Sequence, residues 1–432
     1  MSYASLFDDV SASRKTSRGA LGSGLSDEQQ TALVARFDES AVICAGAGAG
    51  KTRLLVERVS ALLRSGANPK RIAVVTFTRK AAGEIKERVA NRIGDKTRVP
   101  VCGTVHALAL SVLTRRKQVL TLASEQQESA CVAQLTALLP DEFQDLSPKE
   151  LLLLVHRARE QEEYHTLEGL VALAYEEKLA EASLQDFTTL LSLASEKEAD
   201  LFDHVLVDEA QDLSALQLKF LRSIGPRARF WFIGDPDQAI YSFRGAHASM
   251  MHSLREQCAG FYVLSVNYRS ATSIVAHANN VIKFNKERFP VSWSAARHEE
   301  GSVLVEAFDH GEHELAAAIR WAEKAPKQRC VLARTQALVS VLKEQGLPAM
   351  TVHESKGLEW PEVLIMGCEA AMFPHPLATR DEERRLFYVA MTRARDQLLM
   401  TYAANRSHKN PLLKTRHPSP FLFETQALQA KS

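Results

Sequence analysis

The sequence predicts an α/β protein of two domains, each a parallel sheet covered by helices, with an all-helical segment inserted in the first. Three observations predict it. Short apolar runs alternate with amphipathic stretches along most of the chain, as strands buried on both faces between helices require. The alternation comes in two series, one in each half of the chain. Between residues 111 and 200 no strand-like run occurs, Gly169 is the sole glycine, and blocks of helical period such as "SPKELLLLVHRAREQEE" follow one another.

In chain order, residues 1–23 are rich in Ser, Gly, Arg and Ala and read as a flexible tail. Strand-like runs of the first domain lie at 41–47, 72–78, 204–210, 229–235 and 261–268, with helical stretches such as "KTRLLVERVSALLRSG" between them. This domain is expected over residues 24–110 and 201–270, split by the helical insert at 111–200. The second series, at 302–308, 329–335, 349–355, 362–368 and 397–403, places a second α/β domain over 271–425, followed by a tail at 426–432. The two halves could be copies of one fold, although no repeat is visible in the sequence.

Composition narrows the functional classes. Of 432 residues 46% are apolar, and 53 Lys+Arg stand against 52 Asp+Glu. That balance excludes a bulk-basic nucleic-acid coat but leaves room for a local basic groove. Cys44, Cys102, Cys131, Cys258, Cys330 and Cys368 are scattered without a C-x-x-C pair, which suits a reducing, cytoplasmic setting better than a disulfide or zinc framework. No apolar run has the length of a membrane span, and no signal peptide is expected.

Chemistry first shows at "AVICAGAGAGKTR", Ala41 to Arg53. An apolar strand, a turn of small residues (Ala45, Gly46, Ala47, Gly48, Ala49, Gly50) and Lys51-Thr52 opening a helix make a phosphate loop. Small residues let backbone N–H groups converge on phosphate oxygens, and the helix N-terminus adds partial positive charge. Lys51 would reach the β- and γ-phosphates, and the Thr52 hydroxyl would hold Mg²⁺. The general pattern has glycine where Ala45 stands, a mild departure. A matching acidic strand end is "HVLVDEAQD": Asp208 suits the Mg²⁺ shell, and Glu209 suits a base that takes the proton of the attacking water. Together these blocks predict a nucleoside triphosphatase.

Eight blocks define what hydrolysis serves: "LSDEQQTA", "VVTFTRKAAGEI", "GTVHALA", "VDEAQDLS", "IGDPDQAIYSFRGA", "LSVNYRS", "TVHESKGLEW" and "EERRLFYVAMTRARDQL". In this order they resemble superfamily 1 DNA helicases of the UvrD/Rep/PcrA type, over residues 24–425. The resemblance implies two RecA-like domains, ATP as substrate and 3′→5′ movement along single-stranded DNA.

Carried over residue by residue, the resemblance makes Gln29 the reader of the adenine edge and Tyr268 the ring stacked on adenine, with Arg53 on its other side. Gln238 corresponds to the γ-phosphate sensor, Arg269 and Arg393 to two arginine fingers, and Glu359 to a ribose contact. With ATP in the cleft between the domains, Arg393 would complete the site on closure, coupling chemistry to movement. Phe77, Tyr241 and Phe243 match aromatic positions that stack bases; many relatives carry Trp where Phe243 stands. Arg244 would contact phosphate or link the two sites, and Thr104, His106 and His353 lie where relatives touch the strand. Stacking tolerates any base, so weak sequence preference and salt-sensitive binding are expected. The competing readings are a surface helix residue for Gln29, core packing for the aromatics and surface ion pairs for the arginines.

One departure bears on activity. Larger relatives carry a long insert in the second domain, whereas Arg269 and His353 are here only 84 positions apart. The motor is therefore expected intact and unaided unwinding of a 3′-tailed duplex is in doubt. No nuclease block follows the last motif. Alternatives to a helicase are a translocase that strips proteins from DNA, or the motor subunit of a repair, recombination, replication or defence complex activated by a protein partner. A nucleotide-gated binding module and an RNA substrate also remain open. No membrane association is expected.

Overall fold

The computed structural model describes residues 24–135, 139–242, 245–246, 249–325, 327–376, 378–406 and 417–428. The expected tail at 1–23, Phe243, Arg244 and residues 429–432 lie outside the described residues. Two compact units divide the chain. Of the described residues, the first comprises those up to Cys44 and those within Lys51–Gly234 and Tyr241–Leu264; the second comprises those within Ala45–Gly50 and Asp235–Ile240 and those from Ser265 on.

The first unit is built on six strands: β1 (Ala41–Ala45), β2 (Ile72–Thr76), β3 (Val101–Thr104), β4 (His204–Val207), β5 (Arg229–Gly234) and β6 (Gly260–Leu264), in the order β3-β2-β4-β5-β1-β6. The ladders from β3 through β2, β4 and β5 to β1 are parallel, with Val74 beside Leu206 and Val42 beside Phe232. Every residue of β1 and β2 is buried, as an interior parallel strand demands. Each buried Val or Ile contributes about 1.5–3 kcal/mol of transfer free energy.

Strand β3 is an addition to the sequence reading. Its four residues, "VCGT", are too short and too mixed to announce themselves, and Thr104 at once caps the next helix, Val105–Arg115. That helix runs through residue 110, where the sequence had drawn a domain boundary. The expected strand at 261–268 breaks at Ser265, so that β6 joins this sheet while β7 (Val266–Asn267) pairs in the second unit with β8 (Ser294–Ala295).

Within the insert, helices Glu125–Ala133, Pro148–Gln161, Leu167–Glu181 and Phe187–Ser195 start at Ser124, Ser147, Thr166 and Asp186. Each cap side chain accepts a backbone N–H of the first turn, the role for which Ser, Thr and Asp are favoured. The apolar faces of the first three form one cluster, including Val132, Leu135, Leu151, Val155, Ala172, Tyr175 and Leu179. Arg159, 1% exposed, is bonded to Asp186, Glu176 and Thr189. Its neighbour Glu160 accepts instead from Ser214, the cap of helix Ala215–Ile224.

The second unit carries five parallel strands, β9 (Ser302–His310), β10 (Arg329–Ala333), β11 (Ala349–Thr351), β12 (Trp360–Met366) and β13 (Ala394–Asn405), ordered β11-β10-β12-β13-β9. Val331, Leu364, Met366, Leu338 and Leu342 lead its core. Phe373, Phe387 and Phe421 cluster with centroids 5.0–6.1 Å apart and dock the short helix Pro420–Glu424. Between Arg269 and His353 the described residues supply helix Thr272–Ile282, β8, β9, helix Gly311–Glu323, β10, helix Gln336–Glu344 and β11. Among the described residues, no helix is long and apolar enough to cross a membrane.

Candidate nucleotide site and nucleic-acid face

In the first sheet the candidate residues follow strand ends. The chain leaves β1 into Ala45–Gly50, leaves β2 at Phe77, β3 at Thr104, β4 at Asp208 and β5 at Asp235. The carboxyl edge of a parallel sheet is where open α/β folds bind ligands. After the loop, helix Lys51–Arg64 begins at Lys51 with no acidic residue in its first turn, so its partial positive charge is not offset there. Gly48 (φ 66°) and Gly50 (φ 80°) are left-handed, a conformation glycine adopts without strain. The Gly48 carbonyl accepts from the Tyr268 N–H at 3.0 Å, within the second unit.

At the end of β4, Asp208 is 7% exposed, and its N–H donates to Val75 O at 2.9 Å. Glu209 is left-handed (φ 51°, ψ 43°), a conformation costly for a residue with a Cβ and common at functional sites. Gln211, fully buried, donates from Nε2 to Glu209 Oε2 at 2.6 Å and so orients the carboxylate. Sequence reasoning passed over Gln211, because a glutamine two positions after an acidic pair carries no signal of its own.

Gln29 is 3% exposed, which removes the surface-residue reading. Its side chain closes a capping box with Ser26, accepting from the Ser26 N–H at 3.1 Å. Arg53 is exposed, its guanidinium against Gly24. Thr52 lies partly exposed on the first turn of its helix.

In the second unit, Gln238 donates to Asp235 Oδ2 at 2.7 Å and accepts from Arg393 Nη2 at 3.2 Å. Arg393 is 1% exposed and also donates to Val389 O at 3.0 Å and Leu358 O at 3.2 Å, so it is no surface ion pair. Arg269 pairs through Nε with Glu359 and donates to Thr392 O at 3.2 Å. Thus Glu359 meets an arginine of the expected finger set. Lys356, also not foreseen, donates to Gln238 O at 2.9 Å. Tyr268 is 44% exposed, which sets aside the core-packing reading and leaves its ring a surface for stacking.

Two family models match the chain. The UvrD/REP helicase N-terminal domain matches residues 25–127 and 144–259, half of the chain, and the UvrD-like helicase C-terminal domain matches 338–405. The chain belongs to the UvrD/Rep helicase family. It is 28% identical over 354 residues to ATP-dependent DNA helicase PcrA of Staphylococcus aureus, covering 73% of this chain and 48% of that one. It is 30% identical over 371 residues to DNA helicase II of Salmonella typhimurium, covering 77% and 51%. The chain spans about half the length of the curated relatives it matches. The expected mixed α/β class with parallel sheets agrees with this membership.

Of the residues expected to touch nucleic acid, Phe77 and Tyr241 come together, both half-buried, with centroids 6.2 Å apart and planes 9° apart. Thr104 is spent as a helix cap, accepting from Ala107 N at 3.3 Å. His106 packs edge-on against Phe187, 55% exposed, with centroids 5.3 Å apart. Burial lowers the His106 pKa below its usual value, an effect partly opposed by Asp186. The ring is therefore neutral near pH 7. His353, partly exposed, follows β11 in the second unit.

Proposed function

We propose that this chain is an ATP-dependent motor on single-stranded DNA, moving 3′→5′ and separating strands as a DNA helicase. What supports the reading above all is one edge of one sheet. The chain runs into residues 45–50 from β1, into the acidic pair Asp208–Glu209 from β4, and into the stacked rings Phe77 and Tyr241 after β2 and β5.

In this mechanism Lys51 and the loop N–H groups bind the phosphates of ATP, and Glu209, aimed by Gln211, accepts the proton of the attacking water. Gln238, Arg269 and Arg393 meet the charge that develops on the γ-phosphoryl group. Gln29, Arg53, Tyr268 and Glu359 hold the nucleoside. A hydroxyl and a buried carboxylate are hard oxygen donors that fit Mg²⁺, so Thr52 and Asp208 would hold it; when bound it neutralises phosphate charge. Phe77, Tyr241 and Phe243 stack bases, with Arg244, Thr104, His106 and His353 beside the strand.

One observation favours a second reading, a protein-stripping translocase or motor subunit that needs a partner for unwinding. The span from Arg269 to His353 holds the elements of the second α/β unit, leaving little chain for the accessory body that larger relatives carry there.

The test is ATP hydrolysis with and without single-stranded DNA, with Lys51→Ala as the blank. Strong stimulation that the substitution abolishes is expected. Hydrolysis indifferent to DNA overturns the motor reading. Strand displacement on a 3′-tailed duplex then separates the helicase from the translocase.

A further inference from the structure

Trp293 lies in none of the sequence blocks that define the family. It is 6% exposed, and its indole lies against the phosphate loop within the second unit. A Cβ built on Gly46 would stand 2.6 Å from Trp293 Cδ2 and 2.7 Å from Cε3, closer than real side chains approach. Gly46 differs from its neighbours in the loop. Gly48 and Gly50 need glycine for their left-handed backbone, whereas the φ of Gly46 falls outside that region. Backbone conformation alone would admit alanine at 46. The ring excludes it.

The indole is itself fixed in place. Asn279 grips its backbone twice, Nδ2 donating to Trp293 O at 2.7 Å and Oδ1 accepting from Trp293 N at 3.2 Å. Trp293 Nε1 donates to Asp237 Oδ2 at 3.3 Å. Asp237, 1% exposed, is held by a bidentate pair from Arg288, at 3.0 and 2.6 Å. Asp237 precedes Gln238 in the turn Pro236–Gln238.

We propose that Trp293 is a positioning residue for ATP hydrolysis. Its face is the floor on which the phosphate loop rests, and its Nε1 bond to Asp237 ties that floor to the turn that presents Gln238. A flat, rigid ring with its polar tip bonded suits the task, since it fixes a backbone without side-chain freedom of its own. The inference rests on reading residues 45–50 as the phosphate loop.

The experiment is a kinetic cycle on the full chain, measuring kcat and KM for ATP in saturating single-stranded DNA. The proteins are wild type, Gly46→Ala, Trp293→Ala, their combination, Trp293→Phe and the Lys51→Ala blank. Gly46→Ala is expected to lower kcat/KM about a hundredfold, the effect of a misplaced binding group. Trp293→Ala should raise KM about tenfold with a smaller loss in kcat, and Trp293→Phe, which keeps a flat face but loses the Nε1 bond, should restore most of KM while keeping that loss in kcat. The combined variant should hydrolyse ATP better than Gly46→Ala alone, because removing the ring makes room for the new methyl. Of the four tryptophans, Trp293 should also report loop occupancy: an emission change on adding ADP to wild type should be lost in Trp293→Phe, whose retained hydrolysis shows that it folds. Losses that simply multiply in the combined variant, or a Trp293→Phe no better in KM than Trp293→Ala, overturn the proposal. Hydrolysis surviving Lys51→Ala instead overturns the phosphate-loop reading beneath it, so the two failures are told apart.

Discussion

In the first sheet the candidate residues gather at the carboxyl ends of strands β1 to β5, whereas in the second Glu359 and Arg393 stand at the amino ends. In the second, Glu359 stands immediately before β12 and Arg393 immediately before β13, while Ser270, next to Arg269, donates to Ala394 O. Chain leaving a parallel strand turns into a helix N-terminus, where backbone N–H groups point outward and anions are welcome. Chain entering β13 comes from the C-terminus of helix Arg380–Met391, where carbonyls lack partners and cations are welcome. Arg393 meets that need by donating to Val389 O. The same guanidinium therefore finishes a helix and faces Gln238.

This contrast is breakable. The largest effect is expected from Arg393→Ala, which should lower kcat by about 10³ or more if the guanidinium stabilises the transition state. A protein that loses thermal stability yet keeps kcat within tenfold would make that arginine a helix terminator alone. Glu209→Gln should follow, with kcat down by about 10² or more in steady-state hydrolysis. Gln211→Ala tests whether the left-handed Glu209 needs its prop; a loss of about tenfold in kcat is expected, and none would mean the strand end holds the carboxylate unaided. Tyr241→Ala should raise the single-stranded DNA concentration giving half-maximal stimulation about tenfold, the worth of one stacked base. The smallest effect is expected from Glu359→Gln. Its ion pair with Arg269 is half-exposed, so stability should change by less than about 1 kcal/mol in chemical denaturation.

Legibility followed the same division. The strand runs and the phosphate loop stood out because buried strands and small-residue turns are local patterns. The strand "VCGT" did not, being four residues with a glycine inside. The burial of Arg393 and Gln29 was hidden because long polar side chains read as surface until their partners are known. Trp293 and Arg288 were invisible for another reason. Their importance comes from Gly46 and Asp237, far away in the chain, and no spacing links them. Glu160 lies in a run of ordinary helical period, and its burial is explained by partners far along the chain, Thr188, Ser214 and Gln217.

The helical insert has a consequence for engineering. A bridge pairs Leu122 with Gln185, and Gln185 exchanges backbone hydrogen bonds with Thr121 and Ala123 at 2.9 and 2.8 Å. The segment between them thus starts and finishes at adjacent backbone positions, and the apolar cluster Cys131–Leu184 lies wholly inside it. Such a segment is a transplantable cassette, open to exchange with the equivalent piece of another motor without new linkers. The graft must carry an arginine where Arg159 stands, to pair the buried Asp186 just outside the segment, and a carboxylate where Glu160 stands, or the Ser214 cap beside the acidic strand end loses its acceptor.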